Sequence, residues 1–248
     1  MHPIVEVKNL SVEYDNQIIL KDINFVIYPG EIFVIVGGSG CGKSTLLRQI
    51  IGLETPTSGE IIINGRNLTR AKDKERNEIL KSFGVLFQSS GLIASMTLYE
   101  NIELPLRAYT KLSEDRIEQI IRLKLKLVQL SGYEEYLPSQ LSGGMRKRAG
   151  IARALALDPQ ILCFDEPSSG LDPVTSASLD ELIINLNRLL GITMIVVTHD
   201  LASIMRISHR VVMLDKSAKT IIATGTPMEL ANVKDNILVY NFFNRLPG

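Results

Sequence analysis

Gly37, Gly38, Ser39, Gly40, Cys41, Gly42, Lys43 and Ser44 fit the pattern G-x-x-x-x-G-K-[ST], and the residues on either side decide what the pattern can be. Residues 32–36 form a continuous apolar run of strand length, and residues 43–52 follow with helical periodicity. A strand feeding a glycine-rich loop that opens a helix is a cradle for phosphate. Glycines let the backbone curl so that successive N–H groups face an anion, and the helix adds the positive end of its dipole. Lys43 supplies a mobile positive charge. Ser44 is placed to offer its hydroxyl to a Mg2+ that bridges the β- and γ-phosphate oxygens of ATP, with Thr45 a secondary candidate for phosphate contact.

A second apolar run, residues 161–164, ends in Asp165 and Glu166, the position where parallel sheets put their ligand sites. Asp165 suits the task of holding Mg2+ through its water shell, which leaves Glu166 to orient and activate water. Hydrolysis of a phosphoanhydride needs an in-line water and compensated charge more than covalent help. Alone, the two acids would read equally well as the start of an exposed loop. Beside a phosphate loop they form the other half of a hydrolytic site.

Elsewhere the pattern supplies a frame. Residues 4–12 and 18–27 are rich in branched side chains around a polar turn and predict a hairpin. Short strands are expected at residues 61–63, 85–87, 193–197 and 211–214, and helices at 114–130, 144–157 and 175–190, with residues 70–81 a solvated helix. Between about 89 and 159 the strand signal disappears, which reads as a helical insertion. Strands alternating with helices favour a largely parallel, buried sheet.

Composition narrows the function classes. Acidic and basic residues balance at 27 each in the 248-residue chain, so charge gives no case for a nucleic-acid partner, and none is expected. Cys41 and Cys163 have no metal-ligand spacing and suit a reducing compartment. Glu6 and Lys8 interrupt the N-terminal stretch where a signal peptide needs unbroken apolar residues, and no apolar run approaches the roughly 20 residues that span a bilayer. Any membrane role is expected to be peripheral.

Leu141, Ser142, Gly143, Gly144 and Met145, ahead of the acidic strand, resemble the signature sequence of ABC ATPases. The other motifs of that family follow in order. Tyr14 resembles its adenine-stacking aromatic, Gln88 the glutamine that leads into the helical subdomain, and His199 the switch histidine. Ser169, Gly170, Leu171 and Asp172 resemble the loop that crosses its dimer interface. The resemblance implies an α/β phosphate-loop NTPase of the ABC ATPase fold, with a mainly parallel core sheet, an antiparallel β subdomain and a helical subdomain at about 89–159. It implies one domain over residues 1–248 with a C-terminal tail from about 226. It implies ATP and Mg2+ as cofactors, and a second copy of the chain as partner. Each nucleotide would be bound by residues 37–45, Gln88, Asp165, Glu166 and His199 of one chain and by Ser142, Gly143, Gly144 and Met145 of the other. Glu166 is then the general base, His199 the residue that senses the γ-phosphate, and Gln88 a joint ligand of Mg2+ and the attacking water.

Met145 stands where most members of that family have glutamine, which removes a side-chain hydrogen bond while leaving the amides intact. The methionine serves either as an apolar contact to the partner's nucleotide or as core filling. Together with residues 88–92 and 101–107, it is similar to the ATPases of Mla-type, Mce-associated phospholipid transporters. That similarity implies integral-membrane permease subunits, a lipid-carrying Mce-type partner, and a cytoplasmic position on the inner face of the cell membrane. Importers of small solutes and soluble ABC ATPases are the alternatives. The apolar residues Leu92, Ile93, Met96 and Leu98 either fill the helical subdomain or meet a permease. Those of the tail pack either on their own domain or on the second copy. The basic run at 122–127 is expected to be a solvated helix face.

Overall fold

Asp15 and Asn16 adopt left-handed backbone, with φ of 48° and 62°, the two-residue turn that right-twisted antiparallel strands require. Around it β1 (Val5–Tyr14) and β2 (Gln17–Ile27) pair antiparallel from Val5↔Ile27 to Tyr14↔Gln17. This is a computed structural model, and it describes residues 2–246; Met1, Pro247 and Gly248, the ends of the expected domain and tail, lie outside the described residues. β3 (Ile32–Gly37) is buried at every position and leads through the glycine loop into α1 (Lys43–Ile50). β4 (Ser58–Ile63), the short β5 (Arg66–Asn67), the polar α2 (Asp73–Leu80) and β6 (Phe83–Leu86) follow.

A run of helices then replaces strands, as the sequence predicts. α3 (Leu98–Tyr109), with Pro105 inside it, adds a helix to the two expected in this stretch. A reciprocal cap between Thr97 and Glu100 starts it, and buried Asn101 ties down the loop before it by accepting from the Ile93 amide at 2.8 Å and donating to the Ile93, Met96 and Thr97 carbonyls. Leu98 fills the interior, whereas Leu92, Ile93 and Met96 are half-buried. α4 (Glu114–Leu127) contradicts the expectation of a solvated basic face at one position. Lys124 is only 3% exposed and pairs with Asp158, while Leu123 faces outward. α5 (Gly143–Ala154), β7 (Ile161–Asp165) and α6 (Pro173–Leu190) complete this part of the chain.

β8 (Thr193–Val197), α7 (Leu201–Ile207), β9 (Arg210–Leu214), β10 (Ile221–Gly225), α8 (Pro227–Ala231) and α9 (Ile237–Asn244) close the sequence. Val239 and Phe243 of α9 are buried and Asn244 donates to the Ala231 carbonyl at 2.9 Å, so the tail packs on its own chain, with Ile237 and Leu238 left exposed.

Two compact units result. The first takes the described residues up to Leu80 and those from Thr193 onward; the second is Lys81–Ile192. In the first, β2-β1-β4-β5 form an antiparallel sheet, and β10-β9-β3-β8 lie side by side with β3 parallel to both β8 and β9. In the second, β6 and β7 are parallel partners and α5 packs against β6. Among the described residues no helix is long and apolar enough to cross a membrane.

Candidate functional site

In the first unit the glycine loop is shaped by close approach. Gly37 has φ of 146°, and a Cβ there would run into the Leu214 carbonyl of the neighbouring β9 and lie 2.6 Å from Cys41 Sγ. Gly42, at φ 98°, is the N-cap of α1, and a side chain on it would meet Leu20 Cδ2 at 2.8 Å. Glycine is therefore required at both ends of the curl. Gly42 brings no side-chain cap and no acid stands in the first turn of α1, so the positive end of that helix meets no opposing carboxylate on its own element. Lys43 Nζ curls back to donate to the Gly37 carbonyl at 2.9 Å and the Gly38 carbonyl at 3.0 Å. Gly38, Ser39 and Gly40 are exposed, and Ser44 and Thr45 half-buried. Cys41 is buried, which pushes its thiol up from the ordinary range despite the nearby Lys43 ammonium.

Two further expected residues belong to this unit. β3 and β8 pair in parallel up to Ile35↔Val197, so Gly37 and His199 each lie two residues past that pair, at the same carboxyl edge of the strands. His199 is exposed and precedes Asp200, whose side chain accepts from the Ala202 amide to start α7. Tyr14 ends β1 and is 43% exposed. Its hydroxyl donates to the Glu54 carboxylate, which also accepts from Gln49 Nε2 at 3.0 Å and lies 3.6 Å from Arg48. Partial burial and that carboxylate raise the Tyr14 hydroxyl above its usual value, so it stays a donor. Lys216, from the β9–β10 turn, brings a second ammonium to within 3.9 Å of where a Gly40 side chain would begin. No motif in the sequence points to it.

The second unit holds the acids, Gln88 and the signature. β7 is buried from Ile161 to Phe164 and ends in half-buried Asp165 and Glu166. Glu166 sits at φ 48°, left-handed backbone that a glutamate rarely adopts, and the turn is closed by the Ser169 amide on the Glu166 carbonyl at 3.2 Å. Exposed Gln88 donates through Nε2 to Ser169 Oγ at 3.3 Å, which brings it to the loop of Ser169, Gly170, Leu171 and Asp172. Asp172 caps α6 by accepting from the Val174 and Thr175 amides at 3.1 and 3.0 Å. The Thr175 hydroxyl and amide hold its carboxyl below the usual carboxylate range.

Ser142 is the N-cap of α5, and its hydroxyl accepts from the Met145 amide at 3.3 Å. A Cβ on Gly144 would lie 2.5 Å from Thr175 Cγ2, so close packing of α5 on α6 imposes this glycine. Met145 is half-buried, neither fully exposed nor core. Sequence reasoning missed Lys147, two residues on. It is 6% exposed, and its Nζ donates to the Gln88 carbonyl at 2.6 Å and to the Glu166 carbonyl at 3.4 Å. Burial lowers its ammonium from the ordinary lysine range, against the pull of Asp165 and Glu166.

Among the described residues no cluster of three or more His, Cys, Asp or Glu is placed to hold a metal.

Residues 20–169 match the family described as ABC transporter. The chain is 43% identical over 240 residues to the probable ribonucleotide transport ATP-binding protein mkl of Mycobacterium leprae, covering 97% of this chain and 68% of that protein. It covers 66% of the Mycobacterium tuberculosis counterpart, so it spans about two thirds of these mycobacterial relatives. The intermembrane phospholipid transport system ATP-binding protein MlaF of Haemophilus influenzae is 39% identical over 94% of this chain and 87% of its own length. Among solved structures, cbiO1 of Clostridium perfringens, part of the ABC transporter complex cbiONQ, superposes with a TM-score of 0.86 at 30% identity, over 97% of this chain and 95% of that one. The ATP-binding cassette MJ0796, as a dimer bound to ADP and phosphate, gives 0.80 at 33% identity over 90% and 98%.

Proposed function

Because the chain belongs to the ABC transporter family, we propose that it binds and hydrolyses ATP as half of a two-chain engine that drives an integral-membrane permease for phospholipid. The observation that carries the ATPase part is the pairing of an α1 start without a side-chain cap with Lys43 at its first position. The first-turn amides and Lys43 hold the phosphates, replacing contacts that Lys43 otherwise makes with Gly37 and Gly38. Ser44, Gln88 and Asp165 hold Mg2+, whose charge compensates the phosphate oxygens. Glu166 orients the attacking water and accepts its proton, His199 hydrogen-bonds the γ-phosphate, and Tyr14 stacks on the base. Ser142, Gly143, Gly144 and Met145 address the nucleotide held by the second copy. The relative MJ0796, solved as a dimer with ADP and phosphate, supports that assembly.

Phospholipid as cargo rests on Met145 and its neighbouring segments and on the likeness to MlaF. A permease and an Mce-type lipid carrier are the partners this reading requires, and it places the chain at the cytoplasmic face of a membrane. Transport of a small solute is the second reading, favoured by the mycobacterial relatives named for ribonucleotide transport. Isolation of the intact complex through a tag on this chain, with identification of the bound lipid and the permease, separates the two. Phospholipid retained with an Mce-type partner supports the first; a solute permease without lipid overturns it and leaves the ATPase reading standing.

A further inference from the structure

α5 carries more than the signature at its start. Residues 84–91 run up along this helix and double back over it. On the way up, a Cβ at Gly84 would strike the Ala154 carbonyl, and Leu86 Cδ1 lies 2.6 Å from the Cβ position of Gly150. On the way back, the Ser90 carbonyl comes to 2.5 Å from that same position, and Arg153 donates to the Gly91 carbonyl. Ser90 and Gly91 adopt left-handed backbone, at φ 68° and 67°, to make the return. The apex of the excursion is Gln88, and Lys147 holds it there through the 2.6 Å bond to its carbonyl.

Lys147, Gly150 and Arg153 follow one another at three-residue steps, which is how a helix presents a run of neighbours to one strip of chain. The two cations grip the ends of the returning loop, and Gly150 admits its middle. Lys147 does a second thing that Arg153 does not. The same ammonium reaches the carbonyl of Glu166, whose backbone is held at φ 48°.

We infer that Lys147 is a positioning residue for hydrolysis: from the signature helix, one ammonium fixes the main chains of both Gln88 and Glu166, so that these three parts move together. Burying a lysine is costly unless its donors are used, and two charge-assisted bonds to carbonyls use two of the three. Asp165 and Glu166 favour the charged form from nearby. A change at Gln88 therefore reaches Glu166 and the residues after Ser142 through one side chain. The inference rests on the proposed roles of Glu166 and Gln88 in ATP hydrolysis.

The test uses the full chain with Lys147→Met, which keeps the length and apolar stem and removes the donors. Expected are a fall in kcat of about tenfold with KM for ATP within about twofold, and recovery of most of that loss in Lys147→Arg. Amide hydrogen exchange should quicken at both 87–91 and 166–169, whereas Arg153→Met should quicken only the former. An unchanged kcat, or faster exchange at 87–91 with none at 166–169, overturns the inference. A joint loss of kcat, KM and more than about 5 °C of Tm also overturns it, since that marks a merely structural lysine. Glu166→Gln, assayed alongside, keeps the two readings apart. If that variant retains parent turnover, the role of Glu166 is wrong whatever Lys147 does; if it is inactive while Lys147→Met is unaffected, only the present inference fails.

Discussion

Two helix starts carry the proposed nucleotide contacts, and they are built in opposite ways. α1 begins at Gly42, in left-handed backbone, with no side-chain cap. α5 begins at Ser142, in extended backbone, with its hydroxyl already accepting the Met145 amide. The first offers main-chain donors held by Gly37 and Gly42, which cannot be replaced without collision, plus the Lys43 ammonium, with that of Lys216 near Gly40. The second shares its capping oxygen between the helix and whatever it addresses, and it contributes a side chain, Met145, that has no hydrogen bond to give. A site made of backbone amides and one ammonium at the helix start should fail abruptly when that ammonium is removed. A site shared with a cap should fail by degrees.

Substitutions can break that contrast. Lys43→Ala should lower ATP turnover by about a thousandfold or more and weaken nucleotide binding by the single chain, because no other cation stands in the first turn of α1. Ser142→Ala should lower turnover by about tenfold and stability by about 1 kcal/mol through loss of the N-cap, while leaving ATP affinity of the single chain unchanged; turnover assays, thermal unfolding and nucleotide titration read the three quantities. Met145→Gln should shift turnover by no more than about twofold, because the amides of α5 do not depend on that side chain. If Ser142→Ala weakened binding by the single chain as strongly as Lys43→Ala, the two helix starts would not have separate duties.

The features that were legible in the sequence are those where one local rule acts alone. β3 declared itself as an unbroken apolar run because it is buried on every side, and the turn after Tyr14 because Asp and Asn tolerate left-handed backbone. The phosphate loop, the acids after β7 and the signature were legible as motifs. α3 was not, since Pro105 argues against a helix and the Thr97–Glu100 cap that starts it is visible only once the helix is suspected. β10 was missed because its five residues carry only two branched apolar side chains and it lies at the end of its row of strands. Lys124 and Lys147 escaped for a shared reason. Periodicity assigns lysine to solvent, and only tertiary structure supplies the Asp158 carboxylate and the two carbonyls that make burial tolerable.

The contrast between the helix starts has meaning only if the second serves another chain's nucleotide. Sizing of the Glu166→Gln protein with and without ATP tests that claim most directly, because slowed hydrolysis preserves the bound state. The account predicts that this 27.5 kDa chain runs as a monomer without nucleotide and as a dimer with ATP, and that Ser142→Ala added to the same chain weakens the dimer without releasing the ATP. A protein that stays monomeric while saturated with ATP would contradict it.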